Sequence, residues 1–299
     1  MINVQDLTKT FDRVKALDGL NINVEKGSIY GLVGANGAGK TTVIKHITGI
    51  LKPDSGRVLI DGEPVYENPK AKVKNGYVPD ELYFFPSYSL DKMASYLKGI
   101  YPVWNDERFI NMVSNFKLDS RMRLSSFSKG MKKQADFILT MCAMPECLIL
   151  DEPIDGLDPI VRKTVWRYII KDVAEREITV MVSSHNLREM EGYCDHIGII
   201  SKGKMFIERD LEDLRSNIHK VQVAYPGPHT SDMYTGLDIL HKESRGSVDI
   251  MIIRNSREKI ENIIRQSGPS VFDILPLTLE EIFIYELGGV EDEYRDIII

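Results

Sequence analysis

A chain of 299 residues with 43% hydrophobic content has the length for one large domain and a small one, or for two of moderate size, and this composition excludes a disordered chain. The formal net charge of −6, with no visible stripe of clustered Lys and Arg, argues against a nucleic-acid partner, because nonspecific binding of that kind runs on phosphate neutralisation. Cys142, Cys147 and Cys194 lack metal-ligand spacing and read as buried thiols in a reducing, cytoplasmic setting, while the opening lacks a leader pattern and no stretch approaches the ~20 apolar residues of a spanning helix.

In chain order, short alternating runs at residues 2–7, 20–24, 29–33 and 57–60 predict strands, with turn signals at Lys52-Pro53-Asp54-Ser55-Gly56 and Asp61-Gly62. An amphipathic run at 43–50 predicts a helix within this strand-rich opening. Residues 90–118 are helical and polar, interrupted at Tyr101-Pro102-Val103-Trp104-Asn105, and another helix runs over about 130–144 before Pro145. The apolar runs at 147–150 and 178–182 flank a helix opened by Asp158 as N-cap and Pro159 at its first position, a parallel-sheet signature. Past about residue 220, segments 237–243 and 248–254 around Ser244-Arg245-Gly246-Ser247 read as a hairpin. A helix over 257–266 capped by Ser256, a strand-like run at 271–275 and a last helix opened by a Thr278/Glu281 capping box follow.

The chemistry starts at Gly34-Ala35-Asn36-Gly37-Ala38-Gly39-Lys40-Thr41-Thr42, which matches GxxxxGK[ST] between a strand and a helix. Glycines at such positions let backbone N–H groups curl around a polyphosphate, and the helix that follows points its positive end at the same anion. Lys40 is expected on the β- and γ-phosphates and the Thr41 hydroxyl on Mg²⁺, so the chain is expected to bind a nucleoside triphosphate. The run Cys147-Leu148-Ile149-Leu150 ends in Asp151 and Glu152, which suit a contact to the metal and activation of an attacking water respectively. An ordinary Asp-Glu turn is the bland reading of that pair, disfavoured by its place after the phosphate loop and before Pro153.

Phe127-Ser128-Lys129-Gly130-Met131 resembles the LSGGQ signature of ABC-type ATPases. With Gly156-Leu157-Asp158 in the D-loop position and His185 after the next strand, the order of motifs over roughly the first 220 residues resembles the ATP-binding subunit of an ABC transporter. The finer pattern, including Tyr77-Val78-Pro79-Asp80 and Leu277-Thr278-Leu279-Glu280-Glu281, resembles bacterial exporter subunits of the bacitracin-resistance and Ytr type. The resemblance implies an α/β fold: a P-loop NTPase core of ABC ATPase type with an N-terminal antiparallel β subdomain and a helical insertion at about 82–130. Residues 1–220 are then the nucleotide-binding domain, and 221–299 a small α+β appendage with a structural or dimerisation role.

It also implies a head-to-tail dimer, of identical or related chains, with ATP between the phosphate loop of one subunit and the signature of the other. Ser128 and Gly130 then contact the partner's γ-phosphate, Asp158 lies at the nucleotide interface, His185 contacts the γ-phosphate, and Phe11 stacks on adenine. Packing in the core is the other reading of Phe11. A membrane-spanning partner chain converts hydrolysis into transport, expected to be export, with this subunit peripheral at the inner face of the cell membrane. The cluster Tyr83, Phe84, Phe85 and Tyr88 lies where family members meet that partner, with packing inside the helical insertion as the alternative.

Two positions depart from the family. Asp80 stands where a glutamine is usual, and is assigned to Mg²⁺ or its water; Lys129 stands where the signature has glycine. Two other functions compete: a soluble ABC-type ATPase serving as a mechanical or regulatory module, and a nucleotide kinase, for which the signature and His185 have no purpose.

Overall fold

Alternating apolar and polar side chains pair the first two strands, β1 (Ile2–Phe11) and β2 (Val14–Val24), antiparallel with Ile2 opposite Val24. In the computed structural model, which describes residues 1–226 and 231–286, the chain forms two units. One comprises Met1–His185 with His196–Glu208; the other comprises Asn186–Asp195 with the chain from Arg209 onward.

In the first unit, β3 (Ile29–Val33) leads into α1 (Lys40–Ile47), and β4 (Ser55–Ile60) and β5 (Glu63–Pro64) complete an antiparallel sheet of order β2-β1-β4-β5. Its inner face, with Ile2, Leu7, Leu20 and Ile22, packs with Val43, Ile44 and Ile47 of α1 in one buried cluster. The short α2 (Pro69–Lys72) precedes β6 (Asn75–Val78). Two helices, α3 (Leu90–Lys98) and α4 (Asp106–Phe116), form the insertion, broken where the Pro102 segment was expected to break it. Asn105 caps α4 through a hydrogen bond accepted from Arg108 N at 2.8 Å. The helix α5 (Lys129–Cys142) packs against β6, and α3 and α4 pack against α5.

The second sheet places the site. β7 (Cys147–Asp151), α6 (Pro159–Arg176), β8 (Thr179–Ser184), β9 (His196–Ser201) and β10 (Lys204–Asp210) extend it to the order β10-β9-β3-β8-β7-β6. Strands β9, β3, β8, β7 and β6 pair in parallel, and every position of β3, β7 and β8 is buried, as a sheet covered on both faces requires. Parallel strands carry their carboxyl ends to one edge, so the loops after β3, β6, β7 and β8 converge there. Asp158 caps α6 by accepting from Ile160 N and Val161 N at 3.0 and 3.1 Å, with Pro159 first in the helix as expected.

In the second unit, α7 (Leu211–Asn217) precedes β11 (Ile218–Ala224), and the expected hairpin is β12 (Ile239–Arg245) with β13 (Val248–Arg254). With β14 (Val271–Leu275) they form an antiparallel sheet of order β12-β13-β11-β14. Ile260 and Ile264 of α8 (Arg257–Gln266) pack with Val221, Val223, Met251 and Ile253 of this sheet. Ser256 stands at the N-cap of α8, but its side chain makes no cap hydrogen bond, a correction to the sequence reading. The capping box of α9 (Leu279–Glu286) is present: Thr278 N donates to Glu281 Oε2 at 3.1 Å and Glu281 N to Thr278 Oγ1 at 3.3 Å. All three cysteines are buried, and burial pushes the Cys142 and Cys147 thiols up to about 12, which keeps them protonated.

Candidate nucleotide site

The loop from Gly34 to Lys40 follows β3 at the converging edge. Gly39 has φ +113°, and a Cβ there would lie 2.9 Å from the Ala16 carbonyl oxygen, so both conformation and space exclude a side chain. At Gly34 a Cβ would meet the Ile200 carbonyl oxygen at 2.5 Å. Gly37 also has positive φ, and Asn36 is exposed at the tip. Gly39 caps α1 without a side-chain hydrogen bond, and no acidic residue stands in the first turn of α1. The first N–H groups of α1 are thus left to an anion, with Thr41 exposed and Thr42 partly buried beside them.

Lys40 is buried, and its ammonium donates to Gly34 O at 2.6 Å and Ala35 O at 3.3 Å while lying 3.4 Å from Glu152 Oε1. This last contact joins the loop after β3 to the residue after β7. The other oxygen of Glu152, Oε2, is 2.9 Å from His185 Nδ1. Glu152 sits between a cation and an imidazole, with its own φ at +48°. Left-handed backbone at a non-glycine residue stores strain that only surrounding contacts maintain, and such strain clusters at functional sites.

Ser183, opposite Asp151 in the β7–β8 pairing, fastens both carboxylate residues. Its hydroxyl donates to Asp151 Oδ1 at 2.6 Å and accepts from Glu152 N at 3.1 Å. Asp151 is fully buried, and its second oxygen Oδ2 has no hydrogen-bond partner. A carboxylate oxygen buried without a donor is costly, and a hard divalent cation or its bound water satisfies it. Mg²⁺ takes one or two protein ligands and completes its shell with phosphates and water, so the single orphaned oxygen of Asp151 fits such an ion.

The structure brings Lys40, Asp151, Glu152 and His185 together. Phe11, at the end of β1, is 44% exposed with Lys9 Nζ 5.5 Å from its ring centroid, so it is an accessible face and not a core side chain. Ser128 is exposed at the N-cap of α5, accepting from Met131 N at 3.2 Å. Gly130 lies against the turn of the D-loop, where a Cβ would be 3.6 Å from Gly156 O. Lys129 is largely exposed, 3.8 Å from Asp155. Of the aromatic cluster, Tyr83 is exposed, Phe84 packs into the helical insertion, and Phe85 stacks edge-on against Tyr96 at 5.5 Å.

Asp80, expected on the metal, has a partner that the sequence reading did not name: Lys133 of α5, whose Nζ lies 3.1 Å from Asp80 Oδ1. Ser183 and Lys133 are the site residues that sequence reasoning missed. The signal for Lys133 was present: it falls one turn before Phe137 on the stripe of α5 that is buried, where an ammonium requires a partner.

A glycine loop ahead of a helix, a buried carboxylate with an orphaned oxygen, and a second carboxylate held between lysine and histidine define a P-loop ATPase. A sequence profile described as ABC transporter matches residues 17–155. The chain is 31% identical over 292 residues to the ABC transporter ATP-binding protein YtrB of Bacillus subtilis (strain 168), covering 97% of this chain and 99% of that protein. It is 32% identical over 305 residues to the bacitracin transport ATP-binding protein BcrA of Bacillus licheniformis, covering 97% and 98%. A solved structure of an ATP-binding subunit of an ABC transporter superposes with a TM-score of 0.67 at 26% identity, over 72% of this chain and 92% of that one. The chain belongs to the ABC transporter ATP-binding protein family: it is an ATP-binding subunit whose ATPase activity is coupled to transport.

Proposed function

We propose that this subunit powers export through a separate membrane-spanning chain, and that Glu152, held between Lys40 and His185, activates the water that attacks ATP. The placement of that carboxylate carries the reading. Lys40 and the backbone N–H groups of residues 34–40 hold the phosphates, Phe11 offers its exposed face to adenine, and His185 orients Glu152 and the γ-phosphate. Thr41 and Asp151 hold Mg²⁺, which supplies charge neutralisation on the transferring phosphoryl group. Asn36, Gly37 and Thr42 complete the cradle.

The site is shared between two copies. The phosphate loop follows β3, whereas α5 packs against β6, three strand spacings or about 14 Å away in the sheet. In this reading Ser128 and Gly130 meet the nucleotide of a second subunit, an identical or related chain packed head to tail, with Asp158 beside the junction. Export rests on the resemblance to exporter subunits, supported by the likeness to a bacitracin transport ATP-binding protein, and the membrane-spanning partner holds this subunit at the inner face of the membrane. In this reading residues 1–220 are the nucleotide-binding domain, and 221–299 are a structural or dimerisation domain.

Removal of the metal tests the chemistry. ATP hydrolysis by the full chain is expected to stop in excess EDTA and to return with added Mg²⁺. Turnover that persists without divalent cation, or transfer of the phosphoryl group to an acceptor other than water, contradicts the reading.

A further inference from the structure

Glu152 precedes Pro153, and a residue before proline is pushed by the pyrrolidine ring toward extended backbone. Its φ of +48° is therefore held against local preference, and the restraints are visible. On one side Ser183 Oγ accepts from Glu152 N at 3.1 Å. On the other, Lys133 Nζ donates to Glu152 O at 2.7 Å. Those two bonds orient both peptide groups flanking the Glu152 Cα and thereby aim the side chain at Lys40 and His185.

Lys133 is almost wholly buried, with 1% of its side chain exposed, and the same ammonium is 3.1 Å from Asp80 Oδ1. Asp80 is different in kind: its side chain is 44% exposed and stands on the loop after β6, free to respond to what binds there. One buried cation thus ties three elements: the loop after β6, the second turn of the helix that Ser128 opens, and the peptide that follows β7. A desolvated ammonium keeps its place only while its counter-charge does, so a displacement of Asp80 releases the Glu152 carbonyl as well.

We propose that Lys133 is a positioning residue for ATP hydrolysis and that Asp80 acts through it, holding the Glu152 backbone in the left-handed conformation that aims its carboxylate at the reacting water. This rests on the reading of Glu152 as the group that activates water. The carboxylate at position 80 is then required for turnover and not for nucleotide affinity, and movement of its loop becomes a means of switching hydrolysis.

The experiment compares ATP turnover, ATP affinity and thermal midpoint for the full chain and its Glu152→Gln, Lys133→Met, Lys133→Arg, Asp80→Asn and Asp80→Asn/Lys133→Met variants. Lys133→Met is expected to lower kcat by roughly 10- to 100-fold, the scale for a misplaced catalytic group, with ATP affinity within about two-fold of the parent. Lys133→Arg, which keeps charge and donors, is expected to recover most of that loss. Asp80→Asn lowers kcat on its own, yet adds no further loss in the Lys133→Met background, because residues acting through one network are not additive.

Full turnover in Lys133→Met while Glu152→Gln has lost it overturns the proposal. So does an Asp80→Asn effect that multiplies that of Lys133→Met, which places Asp80 directly on metal or water. Should Lys133→Met fail to fold, the half-exposed Asp80→Asn decides: normal kcat or a raised Mg²⁺ requirement refutes the coupling, and a lowered kcat with unchanged ATP affinity and unchanged Mg²⁺ dependence supports it. Retained turnover in Glu152→Gln instead sinks the underlying reading.

Discussion

Glu152→Gln should lower ATP turnover by roughly 10³-fold, within the range for loss of a general base, while leaving ATP affinity nearly unchanged. The amide keeps the length and planarity of the carboxylate and can still meet His185 Nδ1, which lies 2.9 Å from Oε2 in the parent, but it cannot take a proton from water. Its backbone bonds to Ser183 and Lys133 involve only the peptide groups and are untouched by the substitution. The loss should therefore fall on kcat. Phosphate release measured beside binding of a fluorescent ATP analogue separates the two quantities, and a variant that turns over at the parental rate would show that another group activates water.

Lys40→Ala should act on binding. The Lys40 ammonium meets Gly34 O at 2.6 Å, Ala35 O at 3.3 Å and the Glu152 carboxylate at 3.4 Å. In the proposed site, arriving phosphate oxygens replace the two carbonyl oxygens while the Glu152 contact is kept, so the lysine is already desolvated and aimed, and little ordering remains to oppose binding. Removing it forfeits hydrogen bonds between charged groups worth ~1.5–3 kcal/mol, or roughly 10- to 100-fold in affinity. It also leaves Glu152 Oε1 without its cation, so hydrolysis should vanish even at saturating ATP. Titration with the same fluorescent nucleotide measures the first effect; affinity equal to that of the parent would remove Lys40 from the phosphate site.

What could be read from the amino-acid order were features whose causes lie close together in the chain. Strand, glycine loop and helix around Gly34 to Lys40 follow one another directly, and the Thr278/Glu281 capping box closes within one turn. The Asp158–Pro159 start of α6 is equally local. The carboxylates at the end of β7 were legible because a buried strand of a parallel sheet delivers its carboxyl end to the edge that holds the phosphate loop, whereas His185 was placed by the order of the family's motifs. Strands β5, β6, β9, β10 and β11 were not named.

Pairings across long sequence separations escaped altogether. Lys133 meets Asp80 at a separation of 53 residues and the Glu152 carbonyl at 19, and only the packing of α5 against β6 brings them within reach. From the sequence Asp80 was assigned to a metal, and its ion pair with Lys133 was not foreseen. Ser183 carried no signal of its own, because its bonds to Asp151 and Glu152 depend on register between neighbouring strands. Phe11 could be read either way until its exposure was known, because one aromatic at a strand end has no periodicity.

The shared site is the central claim, and light scattering of the 299-residue Glu152→Gln protein with ATP and Mg²⁺ tests it most directly. A trapped nucleotide should hold two copies together, giving a dimer mass that requires ATP and is absent when Lys40→Ala is combined with Glu152→Gln. A protein that binds ATP with parental affinity and remains monomeric at every concentration examined would contradict a site completed by Ser128 and Gly130 of a second copy.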